Sequence, residues 1–167
     1  ETLPSAYWPK LGRLSVALGP GGFTGTRLTV VMARTLAQQL NIHLDGISSF
    51  ALMAPRLETM LKAKDQGKPF WIIKNLPRRG LIAGNYQIKH PSKSQDFAEA
   101  IELKSPKLFS SDFNPEPKVL ASDNVNIDVI QLIKICLKEH NLNNSNHWEN
   151  ALPIYPTSPV ENCNQKL

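Results

Sequence analysis

Residues 14–27 run Leu14-Ser15-Val16-Ala17-Leu18-Gly19-Pro20-Gly21-Gly22-Phe23-Thr24-Gly25-Thr26-Arg27, an apolar run, a glycine-rich stop and the start of a helical stretch. Residues 14–18 are a short apolar run stopped by Gly-Pro, the pattern of a buried strand. Residues 19–25 read as a turn. Thr24 is the expected N-cap of a helix reaching about Leu40, because its hydroxyl can accept a bond from a first-turn N–H. Asn41 suits the helix exit, and residues 44–47 read as a second strand. Residues 14–40 read as half of a βαβ unit, the alternation of an α/β fold.

Outward from this unit, Ser48 and Ser49 are candidate caps for a helix over residues 50–64, with Pro55 tolerated only in its first turns or at a kink. Residues 70–74 read as a strand. Pro77-Arg78-Arg79-Gly80 is a turn, and residues 81–88 return as a second strand with Gly84 as a possible bulge, so the two pair as a hairpin. Residues 89–117 carry four prolines and read mostly as loop, with one short helix near 97–103. Residues 118–121 are strand-like and 127–140 form a strongly apolar helix. Residues 141–150 are polar, and residues 152–160 are extended and proline-rich. The expected division is 1–66 for a first lobe and 67–167 for a second. The chain begins at Glu1, and residues 1–13 read as an interior linker, so the first lobe is expected to lack its opening strands.

Of the 167 residues, 41% are hydrophobic, which fits a packed α/β domain. No apolar run approaches the roughly 18 residues of a membrane span, so no membrane association is expected. Two cysteines, Cys136 and Cys163, do not make a disulfide framework, and a reducing cytoplasm is the expected setting. The net charge is +5, unevenly placed. Residues 61–93 carry eight Lys or Arg against Asp65 alone, while residues 94–167 carry six against ten acids. Arg78 and Arg79 in that basic block are candidate RNA contacts. Its aromatics are few, Phe70 and Trp71 fall in a strand, and no base-stacking platform is legible.

Catalytic constellations are missing from the sequence. The four histidines stand far from one another and from the cysteines, so no zinc spacing occurs, and no Gly-x-Ser-x-Gly elbow offers a nucleophile. His140 is expected to close its helix and Cys136 to lie in the core. The glycine turn offers an alternative reading, a nucleotide-binding enzyme that uses residues 19–25. Gly19, Gly21 and Gly25 mimic a dinucleotide fingerprint, with Asp45 where a ribose-binding acid would stand. The spacing is Gly-x-Gly-x-x-x-Gly with Pro20 inside it, and no Lys-Ser/Thr follows as in a Walker loop.

The helix after the turn is unusually apolar. At about 100° per residue, its apolar arc spans about 200°, twice the width of a helix that buries one face. One side should meet the sheet and the other a partner. Met32, Ala33, Leu36, Ala37 and Leu40, with Arg34 at the rim, are the expected contact surface.

Gly19-Pro20-Gly21-Gly22-Phe23-Thr24-Gly25-Thr26-Arg27 resembles the Gly-Pro-Gly-Ser/Gly-Phe-Thr-Gly-x-Arg signature of the TsaB (YeaZ-like) family. Residues 44–49 resemble that family's strand leading into a Ser-capped helix. Arg78-Arg79-Gly80 with Tyr86 resembles its Asp-Ala-Arg-Arg-Gly hairpin, and Leu152-Pro153-Ile154-Tyr155 with Pro159 its Pro-x-Tyr-x-Arg-x-Pro close. The chain departs from the pattern at Leu76, Leu81 and Thr157, where the family has Asp, Glu and Arg. The resemblance implies an α/β fold of the actin/Hsp70-like (ASKHA, ribonuclease H-like) class, here with the first lobe incomplete. It also implies a non-catalytic subunit of the bacterial machinery that makes N6-threonylcarbamoyladenosine at position 37 of tRNAs. Such a subunit dimerises with a catalytic TsaD-like protein, is joined by a TsaE-like ATPase, meets tRNA through the complex, and carries no metal or cofactor of its own. The older glycoprotease label of the wider group does not imply protease activity.

Overall fold

A computed structural model describes residues 4–91 and 97–156. Thr157, Pro159 and Cys163 lie outside the described residues. The first sheet pairs β1 (Arg13–Ala17) with β2 (His43–Ile47) in parallel, Leu14 opposite Leu44 and Ala17 opposite Ile47. The helix α1 (Phe23–Leu40) connects them, so the expected half unit over residues 14–40 is completed by β2 into a βαβ unit. Asn41 closes α1 in the left-handed region at φ 51°, and the N–H of Ile42 bonds to the carbonyl of Ala37 at 3.0 Å. This is the Schellman arrangement that satisfies the last carbonyls.

Thr24 does not cap α1. Gly22 is the N-cap, without a side-chain bond, and its carbonyl accepts the N–H of Thr26 at 2.9 Å. The glycine already supplies the extended residue that a helix start needs, which leaves Thr24 exposed in the first turn. The expected linker also differs. Ser5–Lys10 forms a 3-10 turn, and Arg13 opens β1 as a buried residue.

Helix α2 (Ser49–Glu58) is capped by Ser48, whose Oγ accepts the N–H of Ala51 at 3.4 Å. It stops six residues short of the expected end, because Thr59 Oγ1 donates to the Arg56 carbonyl and Met60 and Leu61 bond three residues back. Pro55 sits in its second turn. Phe50, Met53, Ala54 and Leu57 pack on Phe70, Ile72, Ile82, Tyr86 and Ile88, the larger core.

The second sheet runs β5-β4-β3-β6. The hairpin of β3 (Phe70–Leu76) and β4 (Gly80–Lys89) is as expected, Phe70 opposite Tyr86. Strand β6 (Lys118–Leu120) lies parallel to β3. The main departure is β5 (Glu99–Phe109), eleven residues of strand where loop and a short helix over 97–103 were expected. It pairs antiparallel with β4 from Lys89 opposite Glu99 to Leu81 opposite Phe109. The edge position tolerates Pro106, and the long buried partner β4 outweighs weak local propensity. The expected irregularity at Gly84 is present, with the extra residue on β5. Ala83 faces Lys107 and Asn85 faces Lys104, which leaves Ser105 and Pro106 between them. A Cβ on Gly84 would stand 2.9 Å from the Tyr86 ring, so the glycine makes room for that side chain.

Helix α3 (Val125–Asn141) is the expected apolar helix, with His140 in its last turn. It has no fully buried residue, and Cys136 is half-buried rather than core. Polar ties hold it in place. Arg56 clamps Asp128 with Nε at 2.8 Å and Nη2 at 3.0 Å, and Lys138 Nζ lies 2.6 Å from Glu99 Oε1.

Candidate partner helix, glycine cleft and basic hairpin

The glycine turn is a crossing of three chain segments. Leu18 donates its N–H to Ile47 and accepts one from Ile154, both at 2.8 Å, and Gly19 accepts the Ser49 N–H at 2.7 Å. Gly19 has φ 95°, a conformation that suits glycine alone among common residues. A Cβ there would also press the Ile154 carbonyl and the Thr26 methyl at 3.3 Å. Gly21 is confined by Thr26 Oγ1, whereas Gly22 and Gly25 face open space. The Phe23 ring lies 5.2 Å from that of Tyr155. The motif thus fixes where α1 starts relative to α2 and to residues 154–155. Arg27 is exposed and makes no ion pair among the described residues.

The structure settles which side of α1 meets the core. Val30 and Ala37 are fully buried against Val16, Leu44 and Ala151, with Ala33 packed beside them. Ala37 is therefore unavailable to a partner, which corrects its place in the expected contact surface. Small side chains let the helix lie close on β1 and β2. Leu36 and Leu40 are half-buried, and the Arg34 guanidinium stacks 5.6 Å from the Trp148 ring centre. The exposed apolar face is instead Leu28, Val31 and Met32, at 59%, 48% and 63% exposure, of which only Met32 was expected. The apolar arc in the sequence covered both faces equally, so no residue pattern singled out Leu28 or Val31.

Asp45 does not line the cleft beside the glycine turn. It is buried at the centre of the first sheet, where Arg13 Nε reaches Oδ2 at 2.6 Å and Nη2 reaches Oδ1 at 2.7 Å. Asn146 Nδ2 adds a bond to Oδ1 at 2.6 Å, and Arg13 Nη1 donates to the Asn144 carbonyl at 2.7 Å. The Asp45 hydrogen bond raises the Arg13 pKa above its ordinary value, against the opposing effect of burial. The ribose role considered for Asp45 is overturned by this pairing. The cleft beside the glycine turn, about 300 Å³, is lined by Gly21, Gly22, Ser49, Lys74, Asp123 and Asp128, with apolar α2 and α3 walls.

In the second sheet the Tyr86 hydroxyl lies 3.1 Å from Ser48 Oγ and donates to Glu102 Oε2 at 3.0 Å. Burial holds that hydroxyl well above the ordinary phenol range, Glu102 adds to the effect, and the Ser48 bond opposes it. Arg78 and Arg79 sit exposed at the hairpin turn. The Arg79 N–H bonds to the Leu76 carbonyl at 3.1 Å, and Arg78 takes φ 65° at the position a type II turn usually gives to glycine or Asn. Neither arginine has an acidic partner among the described residues. They line a shallow cleft with Asn75, Ser110 and Ser111. On the same sheet face, Trp71, Phe109 and Phe113 form an aromatic cluster. Phe109 stacks on Phe113 at 4.1 Å, and Trp71 meets Phe113 edge-on at 5.1 Å. The grouping was not legible beside the basic block, because these residues lie on β3, β5 and the loop after it.

Among the described residues no group of three His, Cys, Asp or Glu is placed to hold a metal ion, and no helix is long and apolar enough to cross a membrane. No protein-family model matches the chain. A stretch of 44 residues is 43% identical to the tRNA threonylcarbamoyladenosine biosynthesis protein TsaB of Bacillus subtilis, 26% of this chain and 19% of that protein. An uncharacterized Pseudomonas aeruginosa protein with similarity to peptidase YEAZ shares the fold at a TM-score of 0.63 and 16% identity, over 90% of this chain and 76% of its own. YeaZ from Pseudomonas aeruginosa gives 0.61 and 16%, over 89% and 75%. The chain thus shares the α/β fold of these two Pseudomonas aeruginosa proteins over most of its length and is similar to TsaB along one 44-residue stretch.

Proposed function

We propose that the chain serves tRNA threonylcarbamoyladenosine synthesis as a non-catalytic scaffold that pairs with a catalytic TsaD-like subunit through α1. The supporting observation is the exposed apolar face of Leu28, Val31 and Met32 on a helix whose opposite side is fully packed. Exposed apolar side chains grouped on one helix face mark interaction surfaces. The partial likeness to TsaB supports the pathway. A TsaE-like ATPase and tRNA join through the partner, in the cytoplasm.

Substituting both Leu28→Asp and Met32→Asp tests the reading, since each would strand a carboxylate in the interface. The expected result is loss of co-purification with the TsaD-like subunit while the thermal midpoint of the free chain is unchanged. Undiminished association would overturn it. Ala37→Glu is unsuitable, because it would break the chain's own core.

A nucleotide-binding role has one observation in its favour. Lys74 lines the same cleft as Gly21 and Gly22 at the start of α1, a cation beside a helix N-terminus, with Asp123 and Asp128 also in the lining. Calorimetric titration of ATP into the chain alone should then saturate, and Lys74→Ala should weaken it. A flat titration removes this reading.

A further inference from the structure

We propose that the outer face of the second sheet, with the β3–β4 turn, is a binding surface for single-stranded RNA. The cross-strand pairs place its residues. Trp71 of β3 and Lys107 and Phe109 of β5 share the face opposite α2, over a base of Ile73, Leu81 and Ala83 that the rings bury. Lys104 lies over the Trp71 ring at 5.5 Å, and Lys118 stands opposite Trp71 on β6. Phe113 folds back on Phe109 with its N–H bonded to Ser110 at 3.1 Å. The three aromatic rings are half-buried, so each keeps some surface open to solvent.

The charge of this face suits a polyanion. Arg78, Arg79, Lys104, Lys107 and Lys118 contribute to it. The acids beside them are Asp112 and Glu116, the latter 3.3 Å from Lys118 Nζ. Glu102 turns the other way, toward Tyr86. Unpaired arginines beside Ser110 and Ser111 offer fork-shaped donors for phosphate and hydroxyls for sugar. The cleft that they line also includes Leu81, the cross-strand neighbour of Phe109, so phosphate contacts and ring faces are continuous. Cations that track a backbone beside rings on which bases stack are the two elements of single-strand recognition. A protein partner would use the rings but would leave two arginines without a role. The choice of RNA over DNA rests on the proposed function; the surface itself does not.

The test is fluorescence anisotropy of the full chain with a labelled single-stranded RNA of about ten nucleotides, a size within the usual site range, read across a salt series. Saturable, salt-sensitive binding is expected. Arg78→Ala with Arg79→Ala should weaken it at least tenfold and flatten the logarithmic salt slope by about 1.4. Phe113→Leu keeps apolar volume and removes the stacking face, and should weaken binding about fivefold or more. Both variants are checked for an unchanged circular dichroism spectrum. The Leu28→Asp, Met32→Asp protein should bind RNA as the parent does, which separates this surface from the partner helix. No binding at low salt, or full affinity in the arginine pair variant, would overturn the proposal. Equal affinity for duplex RNA would overturn the stacking role. Equal affinity for DNA would overturn the assignment to RNA. Capture of an acidic peptide in place of RNA would assign the face to a protein partner.

Discussion

Asp45→Ala should cost about 3–5 kcal/mol of folding stability, the largest loss expected from one substitution outside the apolar core. The carboxylate takes two bonds from Arg13 and one from Asn146, inside the first sheet, with both side chains 3% exposed. Among the described residues, removal of the aspartate leaves a buried guanidinium with only the Asn144 carbonyl to accept from it. That uncompensated charge, more than the lost attraction, sets the magnitude. Urea unfolding followed by circular dichroism reads it. Replacing both partners by leucine should recover much of the loss, because no buried charge then remains. A single variant within 1 kcal/mol of the parent would mean that water reaches the pair.

Gly80→Ala is the second large effect, on the order of 3 kcal/mol. Gly80 has φ 97°, and a Cβ there would collide with the carbonyl oxygen of Phe109 across the β4–β5 pair. The backbone would have to leave its left-handed conformation, and the end of β5 would have to move away. Hydrogen exchange should therefore accelerate at Leu108 and Phe109 before it does in β3. The arginine turn and the stacked phenylalanines meet at this junction, so RNA affinity should fall with stability. A variant with native exchange rates along β5 would show that the turn absorbs the methyl group elsewhere.

The parts of the fold legible in the sequence were local. The β1-α1-β2 unit announced itself through an apolar run, a glycine stop and a helical stretch contiguous along the chain. The β3–β4 hairpin was likewise written in two runs and one turn. Strand β5 was hidden because its proline and exposed side chains describe an edge, and an edge strand is defined by its neighbour. The side of α1 that faces inward was hidden for another reason. Both of its faces are apolar, and the choice fell to the small residues Ala33 and Ala37, which permit close approach. Asp45 was legible as an acid at a suggestive distance from the glycines, but its partner Arg13 lies 32 residues earlier. The aromatic cluster required β5 before it existed at all.

The two ends of the second sheet bear on how copies of this chain behave in concentrated solution. An unpaired strand edge invites pairing with another molecule, and long flat edges seed aggregates. Here one edge is β6, only three residues long. The other is β5, where Pro106 lacks an N–H, two register shifts with β4 put extra residues on the outer strand, and Lys104 and Lys107 keep like copies apart. An incoming strand would find no straight, regularly spaced ladder on either side. Self-association through this sheet is disfavoured at both edges, which leaves its outer face free for other contacts.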